Sequence, residues 1–317
     1  MAPLSDPTPV ASRARVLLTG AGGFTGRYVK TELERAGFRV VGAVFGDVLG
    51  APRHSDEVSL DITSLDACRR VIEQVRPDYL VHLAGLSFVE HAEAVEFYRV
   101  NVIGTLNLLQ ALADLNVTPQ QVLIASSANV YGNAAGSLDE SQPPQPVNHY
   151  AASKLAMEHL VKTWCDRLPI VIARPFNYTG VGQHDRFLVP KIVAHFKSRA
   201  ASIELGNLEI ERDFSDVRMV ARAYRRLLET DCAGETFNIC SAQPYSLRSI
   251  VETMEEIASY RIAVRVNPAF VRASEVKSLI GSAEKLRARV GDLQTIPLRE
   301  TLEWMYRFTE TSAPYRI

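Results

Sequence analysis

The chain has 317 residues, of which 47% are hydrophobic and 22% charged, with a formal net charge of -1. That is an ordinary globular balance in a chain longer than a minimal domain, so a folded core is expected, and neither intrinsic disorder nor a surface for coating nucleic acid is favoured. No apolar run approaches the roughly 18 residues of a spanning helix and residues 1–15 lack a hydrophobic signal core, so the expectation is a cytoplasmic protein with no membrane partner.

In chain order, residues 1–12 carry Pro3, Pro7 and Pro9 among small polar residues and read as a flexible leader. Short apolar runs at 16–18, 40–45, 79–83, 122–125 and 170–173 read as buried parallel strands. Helical stretches at 27–36, 65–75, 100–115 and 151–167 alternate with them. The alternation predicts a Rossmann-type, doubly wound α/β domain over 13–174. After Arg174-Pro175 the rhythm breaks into longer loops, with helical pieces at 189–198 and 217–230. Residues 175–317 therefore read mainly as a smaller α/β substrate lobe, in which 236–240 has the pattern of a strand returning to the first sheet. Cys68, Cys165, Cys232 and Cys240 form no CxxC pair and have no histidine at ligand spacing, so free thiols and no metal site are expected.

Gly20-Ala21-Gly22-Gly23-Phe24-Thr25-Gly26 follows the first strand and opens the first helix. Glycine at 20, 23 and 26 lets the backbone approach a pyrophosphate, which then sits against the positive end of the helix, with Phe24, Thr25 and Arg27 at its edge. A tight turn packed without ligand is the alternative; the strand before and the helix after favour the dinucleotide. Sites that prefer NAD usually end the second strand on an acid, whereas here Val44 holds that place and Asp47 lies beyond Gly46. Arg27 and Arg53 suit a 2'-phosphate, so NADP(H) is favoured over NAD(H). Asp61-Ile62, at the end of a third short strand, can serve an adenine ring or cap the helix starting at Leu65.

Tyr150 and Lys154 are four apart at the start of a helix and share one face. An ammonium beside a phenol stabilises phenolate and makes the tyrosine a workable proton donor or acceptor. Ser127 stands just past a buried strand, at the carboxyl edge where α/β folds place ligands.

These residues together resemble the extended short-chain dehydrogenase/reductase family, whose members modify nucleotide-linked sugars, and the resemblance covers nearly the whole chain after the leader. It implies Ser127, Tyr150 and Lys154 as the catalytic set, with Tyr150 and Lys154 also at the cofactor. His82-Leu83-Ala84-Gly85 resembles the family's cofactor-side strand end, and Asn101 its helix asparagine. Members that dehydrate a sugar carry an acid directly after the active serine or threonine. Ala128 and Asn129 stand here instead, which leaves hydride transfer, or epimerisation by transient oxidation.

Three further segments resemble those of GDP-4-keto-6-deoxy-D-mannose reductases. They are Arg174-Pro175-Phe176-Asn177 with Gly182-Gln183, the stretch 205–214 with Asn207 and Arg212, and Arg272-Ala273-Ser274-Glu275-Val276. The resemblance implies substrate contacts from Ser127, Asn129, Asn177, Val189, Lys191, Asn207, Arg212, Arg272 and Glu275. The arginines suit the diphosphate, Glu275 suits ribose or guanine donors, and Lys191 suits a guanine carbonyl, although Pro190 departs from the usual neighbour. The expected activity is NAD(P)H-dependent reduction of GDP-4-keto-6-deoxy-D-mannose to a GDP-6-deoxyhexose, either GDP-D-rhamnose or GDP-6-deoxy-D-talose. A nucleotide-sugar 4-epimerase and a catalytically silent nucleotide-binding regulator are the alternatives. A homodimer is expected through helices 100–115 and 151–167, because Val102, Leu106, Leu109, Leu155, Leu160 and Val161 spread over more than one helix face.

Overall fold

The computed structural model describes residues 14–46, 56–87, 93–270 and 278–309. The leader and the expected contacts of Arg53, Arg272 and Glu275 lie outside these residues.

Aliphatic runs form β1 (Arg15–Thr19), β2 (Arg39–Val44), β3 (Glu57–Ser59), β4 (Tyr79–His82) and β5 (Gln121–Ala125), followed by a short outlying β6 (Ser137–Leu138) and by β7 (Ile170–Pro175). The intervening helices are α1 (Phe24–Arg35), α2 (Leu65–Val75), α3 (Ala94–Tyr98), α4 (Gly104–Asp114) and α5 (His149–Lys162). Beyond β7 come β8 (Asn177–Thr179), α6 (Leu188–Lys197), β9 (Ser202–Leu205), β10 (Glu211–Asp216), α7 (Val217–Leu228) and β11 (Thr236–Ile239). The chain continues through β12 (Pro244–Ser246), α8 (Leu247–Ala258), β13 (Ala263–Val266), β14 (Ser278–Gly281), α9 (Glu284–Val290) and α10 (Leu298–Arg307).

One seven-stranded parallel sheet runs β11-β7-β5-β4-β1-β2-β3, which is a Rossmann-type α/β fold. Successive side chains of a strand point to opposite faces, and the cores divide accordingly. Val16, Leu18, Val81 and Val171 pack with α1 and α7 on one face, whereas Leu17, Leu80, Val122 and Ile172 pack with α2, α4 and α5 on the other. Each such side chain contributes roughly 1.5–3 kcal/mol by leaving water. β11 returns from the second lobe to the sheet edge, with Phe237 opposite Ala173 on β7.

The second lobe centres on β10, which lies between antiparallel β12 and parallel β14 and also pairs with β8. α6, α8 and α10 close its core around Ile192, Phe196, Met254 and Leu302. β9 and β13 make a separate parallel pair. Among the described residues no helix is long and apolar enough to cross a membrane.

Three details differ from the sequence expectation. α1 starts three residues before position 27, because Gly23 is extended at its N-cap and the helix opens on the glycine turn itself. The helix expected at 100–115 reaches back to Ala94 through a π-helical turn at Arg99–Ile103. Leu109 and Val161, read as partly open apolar residues, are 1% and 0% exposed, because their own sheet covers them. They cannot serve a partner subunit.

Candidate active site

A cleft of about 670 Å³ opens at the carboxyl ends of β1, β4, β5 and β7 and is closed on its far side by the segment from β7 to the start of α6 and by β10. The glycine turn is its floor. Gly20 adopts φ +72, and a Cβ there would stand 2.8 Å from the Ala84 amide nitrogen, while a Cβ on Gly26 would strike the Gly20 carbonyl. Only glycine permits that approach. Gly85 is equally confined, since a Cβ would lie 2.8 Å from Asn101 Oδ1 and 3.3 Å from Lys154 Nζ.

Asn101 sits in the π turn, a common device for re-aiming a side chain at a functional site. Its Oδ1 accepts from the Leu86 amide at 2.9 Å, and its Nδ2 donates to Leu86 O at 3.1 Å and to Ser153 Oγ at 3.0 Å. It thus ties the loop after β4 to the helix that carries Lys154.

His82 makes a second tie. Thr105 donates its hydroxyl proton to Asn101 O at 2.7 Å, so it accepts from His82 Nε2 at 3.0 Å, and Nδ1 then accepts from Thr19 at 2.7 Å. Burial first, and the charge of Lys154 second, lower the His82 pKa to about 3, which keeps the ring neutral. Between an ordinary 6.5 and that value the unfolded chain binds a proton that the folded chain refuses, so this group removes stability as pH falls through 6.5. His82→Gln should flatten that part of the stability-against-pH curve measured by denaturant unfolding, and an unchanged slope would contradict the neutral assignment.

Ser127 N-caps the 3-10 turn Ala128–Tyr131, its Oγ accepting from the Asn129 amide at 3.2 Å. Tyr150 and Lys154 project from the first turns of α5, whose start is capped by Asn148. Burial raises the Tyr150 phenol to about 12, against a smaller lowering by its hydrogen bond with Ser127. Burial lowers Lys154 to about 8, opposed by Glu158. The expected lowering of Tyr150 by Lys154 is therefore absent here: Lys154 Nζ donates to Ala125 O at 2.9 Å, and burial of the phenol outweighs the rest.

Of the residues read from sequence, Gly20, Gly23, Phe24, Thr25, Gly26, Arg27, Leu83, Gly85, Ser127, Asn129, Tyr150, Lys154, Asn177, Val189 and Arg212 all line this one cleft. Ala84 and Asn101 stand behind its wall. Asp61 does not line it; its carboxylate accepts from the Thr63 amide at 2.9 Å and hydroxyl at 2.7 Å, and Ser64, not Asp61, caps α2. Ile62 is buried against Gly104. Lys191 also misses the cleft, because Nζ donates to Glu204 O at 2.9 Å and lies 4.5 Å from the centre of the Phe270 ring. Asn207 is engaged in a local turn with the Glu209 amide. Sequence reasoning overlooked Tyr178 and Arg186, which line the cleft, and Glu158, whose spacing of four from Lys154 was a usable signal.

The cleft's charge has one sign. Arg27, Lys154, Arg186 and Arg212 line it, and no Asp or Glu among the described residues does. Arg27 Nε and Asn177 Nδ2 are buried there without a hydrogen-bond partner among the described residues, a donor set suited to an anionic, polar ligand.

The family described as GDP-mannose 4,6 dehydratase matches residues 17–305. The chain belongs to this family. GDP-6-deoxy-D-talose 4-dehydrogenase of Aggregatibacter actinomycetemcomitans is 38% identical, covering 92% of this chain and 97% of its own length. GDP-6-deoxy-D-mannose reductase of Pseudomonas aeruginosa is 32% identical over 93% of this chain and 99% of its own. Among solved structures, a provisionally named epimerase from Burkholderia cenocepacia is 51% identical with a TM-score of 0.86, covering 92% of this chain and 97% of its own. RMD from Pseudomonas aeruginosa complexed with NADPH is 30% identical with a TM-score of 0.80, covering 92% and 98%. The GDP-mannose 4,6 dehydratase family thus includes reductases and dehydrogenases of GDP-sugars in the extended short-chain dehydrogenase/reductase fold. In this chain Ala128 and Asn129 follow Ser127.

Proposed function

We propose that the protein is an NAD(P)H-dependent oxidoreductase that reduces the C4 ketone of GDP-4-keto-6-deoxy-D-mannose to a GDP-6-deoxyhexose. One observation carries the reading. Ser127, Tyr150 and Lys154 converge in a cleft whose described walls hold cations and no carboxylate, which suits ketone reduction on a nucleotide diphosphate. The names of both relatives support a GDP-sugar, and that of the Aggregatibacter 4-dehydrogenase supports C4 as the reacting carbon.

Gly20, Gly23 and Gly26 would hold the dinucleotide diphosphate, and the bound cofactor would supply a hydride. Tyr150, protonated at neutral pH, gives its proton to the ketone oxygen. Ser127 hydrogen-bonds the same oxygen as charge develops on it. Lys154, which donates to Ala125 O in this structure, would have to turn from that carbonyl to stabilise the phenolate that results and to hold the cofactor ribose. Asn177 and Arg212 bind the GDP diphosphate, whose distance from C4 means they act on affinity more than on turnover. D-Rhamnose and 6-deoxy-D-talose products differ only in the ketone face presented to the hydride.

Incubation with the GDP-keto sugar and NADPH, with NMR of the product, tests the proposal and assigns that face. The Burkholderia structure's name, which gives an epimerase without the carbon, supports epimerisation as the second reading, taken here as a nucleotide-sugar 4-epimerase. Interconversion of UDP-glucose and UDP-galactose without net cofactor consumption, and no reduction of the keto sugar, would establish it instead.

NADPH is favoured over NADH as the cofactor. Val44 ends β2, and its Cγ1 would lie 3.4 Å from a Cβ on Gly22, so its side chain faces the glycine turn where an NAD-selective acid would stand. Arg27 Nε is an unpaired donor in the same region. Val44→Asp should shift the ratio of NADPH to NADH affinity by about tenfold toward NADH, through repulsion of the 2'-phosphate. A wild-type enzyme that strongly prefers NADH would contradict this. A homodimer, the family's expected assembly, completes the proposal, and light scattering at micromolar concentration tests it.

A further inference from the structure

One hydrogen bond joins the two walls of the cleft. Thr25, in the first turn of α1, lies 2.8 Å by its Oγ1 from Tyr178 Oη on β8, across 153 positions of sequence. The Tyr178 ring is stacked on Phe24, with centroids 6.1 Å apart and planes 10° from parallel. Both side chains line the cleft, and Thr25 has no other hydrogen-bond partner among the described residues.

Chemistry favours one direction for this bond. A phenol is the stronger donor and an alcohol the better acceptor, and a phenol is bound here in its neutral form, since burial pushes the Tyr178 pKa up while the Thr25 bond pulls the other way. Either hydroxyl can donate across this contact, and the phenol, the stronger acid, is taken as the donor to Thr25. With that direction the Thr25 proton is available to the cleft that both residues line, whose other lining residues include Arg27, Lys154, Arg186 and Arg212.

We infer that the Thr25 hydroxyl is a phosphate donor of the dinucleotide site, and that Tyr178, by hydrogen-bonding Thr25 from the opposite wall, is the positioning residue that aims it. The inference rests on the nicotinamide reading above and adds a side-chain contact to the backbone cradle. A chain of two hydroxyls ending on an anion is also mutually polarised, which strengthens its last bond.

The test is calorimetric titration of the full-length protein with NADPH and with ADP-ribose, which keeps the diphosphate and lacks the nicotinamide. Thr25→Val should weaken both ligands by about tenfold, the scale of a hydrogen bond to a charged group. Tyr178→Phe, which keeps the stacked ring, should weaken both by about threefold, and the double variant should bind no worse than Thr25→Val alone. Thr25→Ser retains the hydroxyl and should bind like wild type. Wild-type affinity in Thr25→Val, losses that multiply in the double variant, or a Thr25→Ser as weak as Thr25→Val would each overturn the inference while leaving the nicotinamide reading intact. A wild-type protein that binds neither NADPH nor NADH would overturn that reading and this inference together.

Discussion

Tyr150→Phe is expected to lower turnover of the keto sugar by about 10²-fold or more, the usual scale for removing a positioned general acid. The substitution keeps the ring, whose tilted packing on Phe97 at 6.2 Å between centroids does not involve the hydroxyl, so cofactor affinity should stay near normal. The phenol's upward shift to about 12 means that it carries its proton throughout the neutral range, the state that ketone reduction needs. The reverse oxidation needs phenolate and should therefore rise with pH where reduction does not. Lys154, lowered to about 8 by burial against the opposing pull of Glu158, is the group whose charge is then lost first on the alkaline side. Single-turnover measurement, in which chemistry limits the rate, is the appropriate check. Near-wild-type turnover in Tyr150→Phe would overturn the catalytic assignment as a whole.

The shared face of Tyr150 and Lys154 was legible because their spacing is local. Tyr150 and Lys154 need only one helix to share a face, and the glycines at 20, 23 and 26 need only a strand before them and a helix after. Features that depend on two distant segments were not legible. Lys191 read as a nucleobase contact, yet its ammonium meets the Glu204 carbonyl in β9, and its ring neighbour Phe270 follows a strand that pairs with β9. Asp61 read as an adenine ligand or a cap of the helix at Leu65, and the structure adds that its Oδ1 accepts from the local Thr63 amide and hydroxyl while Ser64 takes the cap. Leu109 and Val161 show the same limit in the core. A wide apolar helix face does not say whether the chain's own sheet or a second subunit covers it, and here the sheet does. The π turn at Asn101 has no periodicity signature, because a single extra residue in one turn leaves the apolar pattern on either side intact.

Glu158→Ala is expected to cost about 3–5 kcal/mol of unfolding free energy, because it strands a buried charge. Glu158 and Arg174 are 1% and 5% exposed, and the guanidinium forks onto the carboxylate at 2.9 Å from Nε and 2.6 Å from Nη2. The remaining bonds are also filled: Ser126 donates to Glu158 Oε1 at 2.5 Å, and Arg174 Nη1 donates to Tyr131 Oη at 2.9 Å. Tyr131 passes its own proton to Asn238 on β11 at 2.8 Å, so the pair connects α5, β7 and β11 directly behind Ser127 and Lys154. Desolvation makes such a pair a poor source of net stability while it is intact, and an expensive one to halve. Replacing both members by apolar groups, Glu158→Leu with Arg174→Met, should therefore recover part of what the single change loses. By contrast Arg248→Ala, which breaks the exposed pair with Glu209, should leave the denaturation midpoint where it is, since water already screens both partners. Equilibrium denaturation of the three variants gives the comparison, and a Glu158→Ala protein as stable as wild type would show that Arg174 finds solvent or another acceptor when its partner is gone.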